Sequence, residues 1–193
     1  MIKHGSVNGA TLVDLARAAI GENFDIELSV DAEQSWLQQQ AATFVTLMLN
    51  NPLRGCIGSL QAHRSLQLDV YENARGAAFR DPRFTALSKS EFEQVMIEVS
   101  LLTPPMPLEF RDEGDALRQL KPGTDGVIFI FDKHRSTFLP QVWEQLPEPA
   151  SFLRQLKAKA GLPADFWHAN IKLQRYTVQK WRELDEGIGA STE

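Results

Sequence analysis

A single cysteine in 193 residues leaves nothing for an internal disulfide to join. The four histidines, His4, His63, His134 and His168, are scattered along the chain, so the ligand spacing of a zinc site is missing as well. No apolar run approaches the ~20 residues that span a bilayer. The opening Met1-Ile2-Lys3-His4-Gly5 lacks the charged-then-apolar pattern of a secretory leader. There is no glycine loop of the Walker or dinucleotide type to cradle a phosphate chain. Nor is there a basic excess. The formal net charge is -5, which disfavours binding along a nucleic-acid backbone. Together these absences predict a soluble, cytoplasmic chain with no cofactor, no metal and no membrane contact. They leave room for a local basic pocket, because a small anion needs only one or two arginines.

What is present suits a folded domain. The apolar fraction is 43%, ordinary for a globular protein, and a chain of this length can bury roughly 70% of its unfolded surface. Residues 1–185 read as one domain with two lobes, their boundary near 103–125, followed by a tail over 186–193. Apolar residues at three- and four-residue spacing predict helices over 9–24, 65–80 and 150–160, with shorter ones near 91–93 and 116–120. Asn8 or Thr11 is placed to cap the first, and Gly161 to end the third. Strand patterns cover 42–50, 53–60, 96–103, 126–132, 136–139 and 171–181. Asn50-Asn51-Pro52 predicts a turn joining the first two into a hairpin. Pro104, Pro105 and Pro107 read as a stiff connection, and Lys133-His134-Arg135 as a second turn. Strands arriving as hairpins with helices between them predict an α+β body with a mostly antiparallel sheet flanked by helices.

The chemistry converges on Leu53-Arg54-Gly55-Cys56-Ile57-Gly58-Ser59. In a strand, residues two apart share a face, so Arg54, Cys56 and Gly58 lie together. A guanidinium leaning over a thiol favours the thiolate, and a glycine on the same face leaves space for a ligand atom. The alternative stays open that Cys56 is a small core residue, since free cysteine is among the most buried types. Asp81-Pro82-Arg83-Phe84 brings a second arginine on a stiff backbone, suited to a carboxylate or phosphate; the alternative is a structural ion pair between Arg83 and Glu98. Glu98 interrupts an apolar strand and, if it turns inward, needs a cation such as Arg54 or Arg83. His63 follows the cysteine by seven residues and is the nearest partner for a Cys-His pair.

Several segments in order resemble the AMMECR domain family, called in bacteria and archaea the AmmeMemoRadiSam system protein A type. They are Phe44-Val45-Thr46-Leu47, Leu53-Arg54-Gly55-Cys56-Ile57-Gly58, Asn73-Ala74 with Ala77-Ala78-Phe79, Asp81-Pro82-Arg83-Phe84, Ile97-Glu98-Val99-Ser100-Leu101-Leu102-Thr103-Pro104, Phe138-Leu139-Pro140-Gln141-Val142-Trp143 and Arg175-Tyr176-Thr177. The resemblance implies a two-lobed α+β fold with a cleft near the Arg-Gly-Cys strand. It also implies partnership with a Memo-like protein and a radical S-adenosylmethionine protein, whose genes often lie nearby; it implies no single settled activity. Phe79-Arg80-Asp81 departs from the family, where many relatives carry an acidic residue before the aspartate. A glycine common before the Leu-Pro strand end is also missing from Lys133-His134-Arg135-Ser136.

Three functions follow as expectations. The first is binding of a small anionic or peptide-like ligand in a cleft lined by Arg54, Cys56 and Arg83, with Gly58, Glu98 and His63 nearby. The second is an enzyme using Cys56 as nucleophile or redox thiol. The third is an adaptor for the Memo-like and radical-enzyme partners.

Overall fold

The computed structural model describes residues 7–183. The opening Met1-Ile2-Lys3-His4-Gly5 and the tail over 186–193 lie outside the described residues. Chain contacts divide the protein into two compact units. One runs up to Leu102 and resumes at Gln179, and the other is Thr103–Val178.

The first unit begins with helix α1 (Gly9–Gly21), capped by the Asn8 side chain, which accepts from the Ala10 amide. Strand β1 (Gln40–Met48) then turns through Asn50 and Asn51 into β2 (Leu53–Gly58). Both asparagines sit at positive φ, 53° and 79°, the left-handed conformation that asparagine tolerates better than most residues. A two-residue strand, β3 (Arg64–Ser65), leads into helix α2 (Leu66–Phe79), which Ser65 caps by accepting from the Leu68 amide. Helix α3 (Lys89–Phe92) carries a full capping box between Ser88 and Glu91. Strand β4 (Met96–Leu102) follows, and β9 (Val178–Arg182) closes the sheet from the far end of the chain. The order is β2-β1-β4-β9, with β3 paired to β1, so β2 forms one edge.

Period-two alternation sends Val45, Leu47, Ile97, Val99 and Leu101 to one face, where they are fully buried with α1 and α2. Each such side chain contributes about 1.5–3 kcal/mol through burial. Helix α2 presents Ala74, Gly76, Ala77 and Ala78 to this interface. It approaches so closely that a β-carbon on Gly55 would overlap the Ala77 carbonyl.

The second unit holds β5 (Met106–Leu108), α4 (Glu113–Gln119), β6 (Gly126–Phe131), β7 (His134–Phe138), α5 (Pro149–Lys159) and β8 (Lys172–Tyr176). Its sheet order is β5-β8-β6-β7, all antiparallel. The core is aromatic: Trp143 stacks on Phe152 with ring centroids 3.7 Å apart, and its indole N–H donates to the Asp125 carbonyl at 2.7 Å. Lys157 is buried, paired with Glu113 at 2.8 Å.

The chain is α+β, as expected, with two antiparallel sheets. Three local readings change. The stretch 171–181 is two strands, not one, since β8 and β9 pair in different sheets on either side of Thr177. The proline-rich connection contains β5, whose Pro107 lies opposite Gln174 on an edge strand, where a missing amide donor costs no ladder bond. The second turn is shorter than read, because Phe131 pairs directly with His134 and leaves Asp132 (φ 48°) and Lys133 to make it. No helix among the described residues is long and apolar enough to cross a membrane.

Candidate functional site

Strand β2 directs Gly55 and Ile57 towards α2, where Ile57 meets Gly76 and Gly55 meets Ala77. Arg54, Cys56 and Gly58 therefore share the opposite face, as alternation requires. What surrounds them differs from expectation at several positions.

Arg54 does not lean over the thiol. It is buried and engages Glu91 through Nε–Oε1 at 2.8 Å and Nη2–Oε2 at 3.1 Å, and Nη2 also donates to the Thr85 carbonyl at 3.0 Å. The reason is local: the α3 capping box already fixes Glu91 beside the loop that crosses β2, offering a planar, two-toothed acceptor to a planar donor. The Arg54 guanidinium beside Glu91, helped by the Ser88 amide, lowers that carboxyl to about 2. Its folded value lies below its ordinary 4.5, so the pair's stabilisation is complete above pH 4.5 and drains away as pH falls through about 2. Urea midpoints measured across that window should fall more steeply for the wild type than for Glu91→Gln. A constant offset between the two curves would show that the pair does not titrate this way.

Arg83 pairs with Asp81, not with Glu98. Its Nε and Nη2 donate to the two Asp81 oxygens at 2.9 and 2.7 Å, and Nη2 reaches the Cys56 carbonyl at 3.2 Å. Asp81 is buried and also accepts from the amides of Cys56 (2.9 Å) and Arg83 (3.1 Å). The Arg83 guanidinium holds the Asp81 carboxyl far below the usual carboxylate range, against the opposing effect of burial and with help from the two amides. Asp81 in turn raises Arg83. The outcome is a guanidinium fixed at the edge of β2 with its side chain 54% exposed. Arg54 and Arg83 both lie against the Phe84 ring, at 5.8 and 5.5 Å from its centroid. The structure thus brings the two arginines together, but only Arg83 is presented outward.

Cys56 is half-buried and accepts a hydrogen bond at Sγ from the Thr46 hydroxyl at 3.4 Å. Thr46 lies opposite both Cys56 on β2 and Glu98 on β4, so the three form a row on one face. Glu98 is buried, but its cations come from β9: Arg182 at 2.9 Å and Lys180 at 3.5 Å. Neither Arg54 nor Arg83 reaches it: β1 lies between β2 and β4 while β9 neighbours β4 directly, and Arg83 is held by Asp81. The face beside Gly58 is not open. A β-carbon there would overlap the Phe44 ring and come within 2.6 Å of the Thr43 carbonyl. His63 is exposed in the loop after β2, its Nδ1 at 2.9 Å from the Gln61 carbonyl rather than at the sulfur.

Sequence reasoning also missed a second polar cluster, centred on Asp69 of α2, which is fully buried. It accepts from the Thr43 amide and hydroxyl, both at 2.7 Å, from Ser59 at 2.7 Å, from Arg64 at 2.8 Å and from Asn73 at 3.0 Å. A signal was available: Leu66, Asp69, Asn73 and Ala77 follow helical spacing, so two polar residues stand on the face that must be buried.

Fold and edge together define an α+β protein whose single cysteine sits on an edge strand gripped by an Asp-Arg fork. A model of the AMMECR1 family matches residues 13–181. A protein of Saccharolobus islandicus (strain L.S.2.15) is 36% identical over 187 residues, which cover 91% of this chain and 81% of that one. A protein of Methanothermobacter thermautotrophicus is 36% identical over 181 residues, covering 91% of this chain and 94% of that one. The crystal structure of the uncharacterized protein PH0010 from Pyrococcus horikoshii is similar, with a TM-score of 0.76 and 33% identity over 91% of each chain. The chain belongs to the AMMECR1 family.

Proposed function

We propose that the chain binds a small ligand bearing a carboxylate or phosphate at the outer edge of β2, with Arg83 as the anion anchor and Cys56 beside it. The observation that carries this is the geometry of Arg83. Asp81 and the Cys56 carbonyl consume Nε and Nη2, which leaves Nη1 without a partner among the described residues on a guanidinium that is exposed and yet fixed. A preorganised cation loses little freedom on binding an anion. Arg54 acts as a positioning residue, holding the loop that carries Phe84 and Arg83 through the Thr85 carbonyl and Glu91. Glu98, neutralised by β9, and the exposed His63 take no part.

The test is thermal unfolding with acetate, inorganic phosphate and N-acetylalanine. A ligand at about ten times its Kd stabilises by about 1.4 kcal/mol, or roughly 3–5 °C for a chain of this size. The wild type should show such a shift with at least one of the three, Arg83→Ala should lose it, and Cys56→Ser should keep it. An equal shift in Arg83→Ala would overturn the reading.

A second reading has its own observation: the Thr46 hydroxyl orients Sγ on a half-buried cysteine. If Cys56 reacts, iodoacetamide should label it near neutral pH faster than it labels a free cysteine, whose pKa is ~8.5. Labelling no faster than that would remove this reading.

A further inference from the structure

We infer that the ligand of this edge is the carboxyl end of an extended polypeptide, paired antiparallel with β2 at Gly58 and halted at Arg83. The inference rests on the anion site proposed above and names the chemical class that fills it.

The register of β2 decides which backbone groups are free. Ile57 lies opposite Val45 and Gly55 opposite Leu47, while the Cys56 amide points away from β1 to Asp81. Backbone groups of alternate residues point the same way in a strand, so Arg54, Cys56 and Gly58 all turn N–H and C=O outward. The amide of Ser59 donating inward to the Thr43 carbonyl at 2.8 Å agrees with this phase.

The three outward positions are not alike. Arg54 is buried under the loop that supplies Thr85 and Ala86. At Cys56 the edge is plugged by side chains: Asp81 accepts from the N–H and Arg83 donates to the C=O, the two bonds that a neighbouring strand residue would make. At Gly58 no side chain among the described residues does the same, and the residue is half-buried rather than covered. An unpaired edge is a template for strand addition.

An added strand pairing with Gly58 cannot continue past Cys56, because the fork already holds both of its groups. The strand must therefore end there, and Arg83 meets the end with a fixed Nη1 that has no partner among the described residues. Of the two ends of a polypeptide, the anionic one fits. A chain whose C-terminus lies at Arg83 and whose earlier residues lie beside Gly58 runs against β2, which makes the pairing antiparallel. A free carboxylate would use only the guanidinium, whereas the peptide adds the N–H and C=O of Gly58.

The experiment is an NMR titration that follows the Gly58 amide. The probes are N-acetylalanine, acetyl-trialanine as the free acid, its C-terminal amide, and the free acid N-methylated at the penultimate alanine. The expected result is that the tripeptide acid binds about tenfold or more tighter than N-acetylalanine and shifts the Gly58 amide, while the amide and the N-methyl peptide each lose about tenfold. Arg83→Ala should abolish the preference for acid over amide. If the tripeptide binds no better than N-acetylalanine, or the amide binds as well as the acid, strand addition is wrong and the anion site stands. If neither N-acetylalanine nor the tripeptide binds at concentrations up to about 10 mM, both readings fail.

Discussion

Asp69→Ala should lose about 3–5 kcal/mol of stability, the scale for removing one partner from a buried charged pair. The carboxylate is fully buried and takes five hydrogen bonds, from β1, from the β2–β3 loop, from Arg64 and from its own helix neighbour Asn73. Truncation leaves Arg64 without its counter-charge and several donors unpaired, and each unpaired buried donor costs about 1–3 kcal/mol. Domains are stable by only about 5–15 kcal/mol in total, so the variant should sit near the limit of folding. Urea unfolding checks this. Asp69→Asn keeps the shape and some of the bonds but not the charge, so it should fall between the two. A loss below about 1 kcal/mol for the alanine variant would mean that water or rearranged side chains replace the carboxylate, and that the cluster is not what fastens α2 to the sheet.

The second large effect is at Gly55. Its added methyl would collide with the Ala77 carbonyl, a backbone atom that cannot rotate out of the way. Helix α2 or strand β2 has to move, and overpacking of this kind costs about 1–3 kcal/mol and sometimes more. We expect Gly55→Ala at or above the top of that range, at about 3 kcal/mol. The displacement of β2 should also disturb the Asp81–Cys56 amide bond, so ligand-induced stabilisation should weaken in the same variant. Gly114→Ala is the internal control. Its β-carbon would meet neighbours only at 3.4 Å, and it should change stability by about 0.5 kcal/mol or less. If the two variants are equally stable, the close approach of α2 to β2 is not as tight as the structure has it.

The Arg-Gly-Cys stretch was legible in part. Alternation alone put Arg54, Cys56 and Gly58 on one face, and they are there. Alternation could not say where a long side chain ends. Arg54 and Arg83 are both arginines beside one strand, yet Arg54 is spent on Glu91 and Arg83 is held outward by Asp81. The difference lies in which carboxylate each meets once the loop after α2 folds back, a contact across 37 residues for Arg54 and only two for Arg83. Glu98 was expected to need Arg54 or Arg83 if it turned inward. Its partners stand on β9, 84 residues away for Arg182, and no local pattern carries that information.

The sequence by itself determined the helices and strands with strong period, the α+β class, an N-cap at Asn8 or Thr11 and the turn at Asn50-Asn51. Each depends on neighbours within a few residues, where propensity and sterics act directly. Only the tertiary structure decided that 171–181 serves two sheets, that Asp69 and Asn73 form a buried cluster, and where along its edge β2 is plugged. Those outcomes depend on strand order and on the distance at which α2 settles over the sheet, and they emerge only when residues far apart in the chain are packed against one another.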